Sequence, residues 1–165
     1  MDDFLAPEKI IREIPSKEEM SVADFGCGAG GITIPLAKKC KDAKIYAIDI
    51  LSEALSALRS RAELEKVYNI RTLRADLEKG TELQENFFDL VIVSNILFQA
   101  DDKEAVLKEA YRVLRDGGQL FVVDWKMEND KAEEKIKEGA ENEGFKLLRE
   151  VDAGKDHFGR IYEKK

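Results

Sequence analysis

The chain is short of the residues that build metal, disulfide and membrane sites. Its 165 residues include two cysteines and one histidine. Cys27 and Cys40 form no C-x-x-C pair and no disulfide framework, a usage that fits a reducing cytosol. No group of His, Asp and Glu has metal-ligand spacing, so no metal is expected. Long apolar runs are missing too: none approaches the ~20 residues needed to span a bilayer. The first 20 residues are acidic and carry no apolar stretch of signal-peptide type. A soluble, cytoplasmic protein without a membrane segment is expected. Basic runs are absent as well. With 27 basic against 34 acidic residues the net charge is -7, which argues against nucleic acid as a partner. There is no internal repeat and no low-complexity segment. The length predicts one domain over residues 1–165, with an N-terminal helix in 1–15 and a core in 20–165.

What the chain does have is a strand, a glycine turn and a helix over residues 22–37. An apolar run ends at Phe25, Gly26, Gly28 and Gly30 follow, and a helical pattern begins. Glycines let the backbone turn sharply and lie against a ligand with no Cβ in the way. Such a turn serves nucleotides and nucleotide-like cofactors, and two readings compete. Gly26, Gly28 and Gly31 satisfy G-x-G-x-x-G, and Asp49 ends the next apolar run roughly 20 residues on, as a dinucleotide site requires. Asp24 points elsewhere. A carboxylate two residues before the first glycine repels a pyrophosphate, whereas it attracts the sulfonium and ammonium of S-adenosylmethionine.

The remaining elements alternate. Residues 4–14 read as an amphipathic helix opened by Pro7 and carrying Ile10, Ile11 and Ile14. It is either a packing arm or, through Phe4 and Leu5, part of a roof over the site. Strand 20–25 leads to helix 30–39, with Pro35 in its first turn. Strand 44–49 precedes a helix with Leu51, Leu55, Leu58 and Ala62 at helical spacing and Ser52 as its N-cap. Strand 70–75 exits at Asp76. Residues 87–94 are almost wholly apolar after Asp89, as a central strand covered on both faces must be. Asp101 or Asp102 caps the next helix, whose stripe is Val106, Ala110, Val113 and Leu114 and whose charges read as a solvated face. Asp116-Gly117-Gly118 stops it. Strand 119–125, a charged helix over 131–143 and a hairpin of strands 145–151 and 158–163 follow. This is an α/β pattern with a mainly parallel sheet and one antiparallel strand set by the closing hairpin.

The segment Asp24-Phe25-Gly26-Cys27-Gly28-Ala29-Gly30 resembles the Asp/Glu-x-Gly-x-Gly-x-Gly signature of the class I S-adenosylmethionine-dependent methyltransferases. The resemblance covers nearly the whole chain, including the terminal hairpin. It implies a Rossmann-like, doubly wound seven-stranded sheet of order 3-2-1-4-5-7-6, where a dinucleotide fold has a parallel sixth strand. It also implies S-adenosylmethionine as cofactor, with Asp24, Gly26, Cys27, Gly28 and Gly30 around it. Asp49 is expected on the ribose hydroxyls, although an acid at that point can instead cap a helix. Ile50 would pack on the adenine, Asp76 would accept from its amino group, and the backbone N–H of Leu77 would meet the ring. The stretch 94–98, with Asn95, would lie under the methionine part and beside the acceptor.

Departures from the family pattern narrow the acceptor. Ser94-Asn95-Ile96-Leu97 replaces the Asn/Asp-Pro-Pro-Tyr/Phe element of enzymes acting on amino groups of bases or glutamine. Phe98-Gln99 stands where many small-molecule enzymes carry a histidine pair, which removes an obvious base. The expected function is methyl transfer to a small molecule, by alignment of the reactants and without an assigned catalytic residue. Other readings stay open: a non-catalytic S-adenosylmethionine-binding module or subunit acting with a partner, a protein or RNA methyltransferase, and a small NAD-binding protein. A homodimer or partner protein over the pocket above Asn95 and Trp125 is compatible with the sequence. Cys27 is read as a small packing residue, His157 as an exposed bystander near the hairpin, and Trp125 as either core or acceptor wall.

Overall fold

Periodicity decides the layers. In the central strands successive side chains point to opposite faces, and here both sets are apolar. Residues 6–15, 17, 19–126 and 131–165 are described by a computed structural model; Phe4 and Leu5, with whatever roof they form, lie outside them. The elements run α1 (Pro7–Arg12), β1 (Ser21–Phe25), α2 (Thr33–Lys39), β2 (Lys44–Asp49), α3 (Ser52–Leu64), β3 (Ile70–Arg74), β4 (Phe88–Ser94), α4 (Lys103–Val113), β5 (Leu114–Trp125), α5 (Lys131–Glu143), β6 (Phe145–Asp152) and β7 (His157–Lys164).

The strands form one seven-stranded sheet in the order β3-β2-β1-β4-β5-β7-β6. β1 pairs in parallel with β2 and β4, β2 with β3, and β4 with β5. β7 runs antiparallel to both β5 and β6. In β4, Leu90 and Ile92 join the layer under α1–α3, with Ile10, Ile34 and Leu58. Val91 and Val93 join the opposite layer under α4 and α5, with Val106, Val113 and Ile136. Each fully buried Leu, Ile or Val contributes roughly 1.5–3 kcal/mol relative to exposure, so the two-sided strands anchor the sheet.

Several local expectations are revised. α2 starts at Thr33, later than the glycine pattern implies, and α3 has Leu51 at its N-cap with Ser52 already helical and no side-chain cap. Asp102, and not Asp101, caps α4 by accepting from Ala105 N at 3.0 Å. α4 ends at Val113, before Asp116-Gly117-Gly118. Its charged face is not wholly solvated: Glu109 is 6% exposed and accepts from Thr81 N at 3.0 Å and Thr81 Oγ1 at 2.6 Å. Arg112 Nη2 completes that carboxylate at 2.6 Å, so α4 is tied to the loop before β4.

Gly30 explains how tightly the glycine turn packs on α3. Its φ is +96°, and a Cβ there would sit 2.3 Å from Leu58 Cδ1, a side chain fully buried in α3. Gly30→Ala therefore combines left-handed strain of about 1–2 kcal/mol with overpacking of about 1–3 kcal/mol. Thermal unfolding should place the variant roughly 5–15 °C below wild type; a melting temperature within about 2 °C would show that the turn and α3 have room to spare.

Candidate functional site

The parallel strands β1–β5 all end on one edge of the sheet, where their exits can converge. A cavity of about 620 Å³ opens there. It is lined from β1 and its turn by Asp24, Gly26, Cys27, Gly28 and Gly31, from β2 by Asp49 and Ile50, from β3 by Asp76 and Leu77, and from β4 by Asn95 and Ile96. Nine of the ten predicted contact residues are thus brought together: Asp24, Gly26, Cys27, Gly28, Asp49, Ile50, Asp76, Leu77 and Asn95. Gly30 does not line the cavity; Gly31 does, and Gly30 faces Leu58 instead.

The glycine turn is held by β2. Gly26 N and Cys27 N both donate to Ile48 O, at 2.8 and 3.0 Å. Gly28 N donates to Asp49 Oδ2 at 2.9 Å, and Leu51 N to Asp49 Oδ1 at 2.9 Å. Three successive N–H groups of the turn are therefore already bonded, and they do not form an anion cradle of the kind a pyrophosphate needs. Gly26 and Gly28 have φ of +73° and +54°, but they need glycine differently. A Cβ on Gly26 would strike Ile96 Cδ1 at 2.1 Å, whereas one on Gly28 would meet nothing within 4 Å. The space at Gly28 is open to a ligand.

Asp24 lies beneath this turn, 1% exposed. Thr33 Oγ1 donates to its Oδ2 at 2.6 Å, while Oδ1 is buried without a hydrogen-bond partner. Burial pushes its pKa up to about 7, against the lowering effect of the Thr33 bond and with a smaller contribution from the Asp49 charge. The carboxyl thus faces the cleft with one oxygen to offer and a cost for being charged that a nearby cation would remove. Cys27 is buried, and burial first, then the charges of Asp24 and Asp49, pushes its thiol up, far from nucleophilic thiolate character. That fits the packing role expected of it.

On the β3 side, Asp76 Oδ1 accepts from Glu78 N at 3.0 Å, a short turn that leaves the carboxylate at the cleft edge. Leu77 is buried against the same wall and Ile50 is half exposed across from it. On the β4 side the chain leaves the strand through Asn95, with φ of +55°, a region in which Asn is tolerated better than most residues. Asp124, at the end of β5 and fully buried, accepts from Phe98 N at 3.1 Å and from Trp125 N at 2.8 Å. Burial raises its pKa, opposed by those backbone bonds. The acid pins the loop after β4.

His157 is not an exposed bystander. It is 1% exposed, its Nε2 lies 2.9 Å from Asn95 Oδ1, and its ring lies 4.2 Å from that of Trp125. Sequence reasoning missed its burial and the role of Asp124, and counted Gly31 only in the dinucleotide pattern. The available signal was the hairpin register, which sets His157 opposite Trp125 at the end of β5. Trp125 itself lines a second cavity of about 540 Å³ on the same edge, with Phe98, Ile136 and Phe158.

Strand order, glycine turn and strand-end acids define a Rossmann-like methyltransferase fold. The chain belongs to a family described as a methyltransferase domain, whose profile matches residues 16–165. It is 28% identical to a SAM-dependent methyltransferase from Aquifex aeolicus of known crystal structure, with a TM-score of 0.83 over 96% of this chain and 89% of that one. It is 29% identical over 161 residues to a sterol 24-C-methyltransferase of Aspergillus fumigatus, covering 82% of this chain and 42% of the relative. A ubiquinone/menaquinone biosynthesis C-methyltransferase of Neisseria meningitidis is 34% identical over 110 residues, covering 66% of this chain and 44% of the relative. The chain therefore spans less than half the length of these two curated relatives.

The raised pKa of Asp24 has a sign. Between its ordinary value of 3.8 and about 7 the folded protein holds a proton that the unfolded chain releases, so this group lowers stability as pH rises through that window. Asp24→Asn removes the dependence. In ligand-free protein the variant should gain on wild type by roughly 2–3 kcal/mol between pH 5 and pH 8, read as the difference between two melting curves at each pH. A difference that does not change with pH would mean that Asp24 is charged throughout.

Proposed function

We propose that this protein is an S-adenosylmethionine-dependent methyltransferase acting on a small-molecule acceptor, its described residues forming one methyltransferase unit. The observation that carries the reading is the buried, unpartnered oxygen of Asp24 beneath a turn whose first three N–H groups are already bonded. Such a site repels a pyrophosphate and suits a ligand with positive charge. The residues present fit that cofactor. Asp49 can take two ribose hydroxyls, since each oxygen carries one backbone N–H and keeps a second lone pair. Asp76 has its Oδ2 available for the adenine amino group, and Leu77 and Ile50 offer apolar surface to the ring. Gly28 leaves the backbone bare where a ligand would approach it.

When bound, the cofactor supplies a methyl group on a positively charged sulfur, which is already a good leaving group. The work left to the protein is alignment and exclusion of water. The second cavity suits the acceptor: Phe98, Trp125, Ile136 and Phe158 give it an apolar wall beside the exit of β4. Asp124 at its floor is not positioned as a base, because its two oxygens accept from the backbone N–H groups of Phe98 and Trp125. This supports catalysis by positioning of the reactants. The names of the relatives, sterol and quinone methyltransferases, and the acidic charge of the chain support a small-molecule acceptor over nucleic acid.

Calorimetry with S-adenosylhomocysteine and NAD separates the cofactor classes: the first should bind and the second should not at comparable concentration. Asp49→Ala removes two charge-assisted hydrogen bonds to the ribose. These are worth roughly 1.5–3 kcal/mol each and are not fully additive, so affinity should fall about 30- to 1,000-fold. Asp49→Asn should lose less. Affinity within about threefold of wild type in Asp49→Ala would place the ribose elsewhere, and loss of the folded circular dichroism spectrum would make Asp49 a structural clamp only.

A further inference from the structure

His157 stands at the first position of β7, sealed between Trp125 and the loop after β4. Its Nε2 is bonded to Asn95 Oδ1, while Nδ1 is buried with no hydrogen-bond partner. A neutral imidazole has one N–H and one lone pair. A proton on Nδ1 would be a buried donor without an acceptor, whereas a proton on Nε2 meets the Asn95 oxygen. The ring therefore donates from Nε2. Burial lowers its pKa and keeps it neutral.

Asn95 has little freedom left. Its N donates to Val123 O at 2.9 Å, its O accepts from Gln99 Nε2 at 3.2 Å, and its φ is fixed at +55°. With Oδ1 taken by His157, the planar amide can turn only its NH₂ elsewhere. Nδ2 donates to no described residue and is not buried, and Asn95 lines the cofactor cleft. β4, which delivers Asn95, is the strand next to β1, which delivers Asp24.

We propose that His157 is a positioning residue that occupies the Asn95 amide oxygen and so holds the Asn95 NH₂ in the cleft as a donor for a ligand carboxylate. This rests on the cofactor reading above. Asp24 and Asn95 then form a complementary pair for the two charges of an α-amino-acid group, the carboxyl of Asp24 for the ammonium and the amide NH₂ for the carboxylate. The closing hairpin, remote in sequence from the glycine turn, thereby enters the cofactor site without touching the cofactor.

The test is a double-mutant cycle read by calorimetry with S-adenosylhomocysteine. His157→Phe, which keeps a ring against Trp125, and Asn95→Ala should each weaken binding about tenfold, and the double variant should be no weaker than about the worse single one. His157→Gln, whose amide can still donate, should return to within about threefold of wild type. In ligand-free ¹⁵N-labelled protein the side-chain NH₂ signals of Asn95 should move in His157→Phe. Multiplicative losses near 100-fold in the double variant, unchanged affinity in His157→Phe, or unmoved Asn95 signals would each overturn the coupling. Asn95→Asp keeps an acceptor for Nε2 and replaces the donor by a carboxylate oxygen. It should bind worse than Asn95→Ala, and equal or tighter binding would overturn the proposal even if His157→Phe failed to fold. No binding to wild type would overturn the cofactor reading and the role of Asn95 with it, while the amide signals would still report on the His157–Asn95 pair.

Discussion

The end of β2 is the fixed point on which the site is built. Ile48 O and the Asp49 carboxylate accept from Gly26, Cys27, Gly28 and Leu51, so one strand terminus shapes both the turn after β1 and the start of α3. Each bond alone is modest, about 0.5–1.5 kcal/mol net, rising toward 3 where the carboxylate takes part. Together they hold a turn with positive φ at three glycines without help from a ligand. They also decide what kind of ligand can enter. A turn that has spent its N–H groups on its own scaffold, between two carboxylates, is an acidic slot and not an anion hole.

The opposite wall is built by a second buried acid acting on a neighbouring strand. Asp124 of β5 fixes Phe98 N, and β4 reaches Asn95 with its N–H on Val123 O, so the loop after β4 is tied twice to β5. Ile96 from that loop fills the space that Gly26 leaves, closing the ring of contacts from β2 through β1 and β4 to β5. The cavity is framed by strand ends whose spacing the sheet sets, which is the rigid support that precise alignment of two reactants requires.

Much of this was legible in the sequence, because it is local. The apolar runs, the glycine turn and the acid leaving each strand lie within a few residues of one another, and the fold places strand exits together whatever the loops do. What was not legible depends on partners far along the chain. Gly30 has the spacing of a ligand-binding glycine, yet the closeness of Leu58 is what requires it. Glu109 looks like one charge on a solvated helix face until Thr81 N and Arg112 close over it. His157 gave no signal by itself, since its burial comes from Trp125 opposite it and Asn95 across the sheet. Ser52 misses the cap position by one residue: Asp49 accepts from Leu51 N, Leu51 is the extended residue before the helix, and Ser52 is already in the first turn.

Keeping an acid buried under the turn is costly in the empty protein, and that cost is informative. A carboxyl with its pKa near neutrality and one oxygen without a partner is poorly solvated in either protonation state. Were Asp24 only structural, a second donor beside Thr33 would satisfy it, and an apolar residue would avoid the cost altogether. A ligand cation changes the balance, because it supplies the missing partner and favours the charged form together. Free energy withheld from the empty fold then reappears as affinity for the ligand, the linkage expected when binding is confined to the native state. The same reasoning bears on the cleft's polarity: no Lys or Arg is among the described residues lining it, so a ligand carboxylate would need neutral donors, and the amide proposed for Asn95, held from behind by His157, would be one.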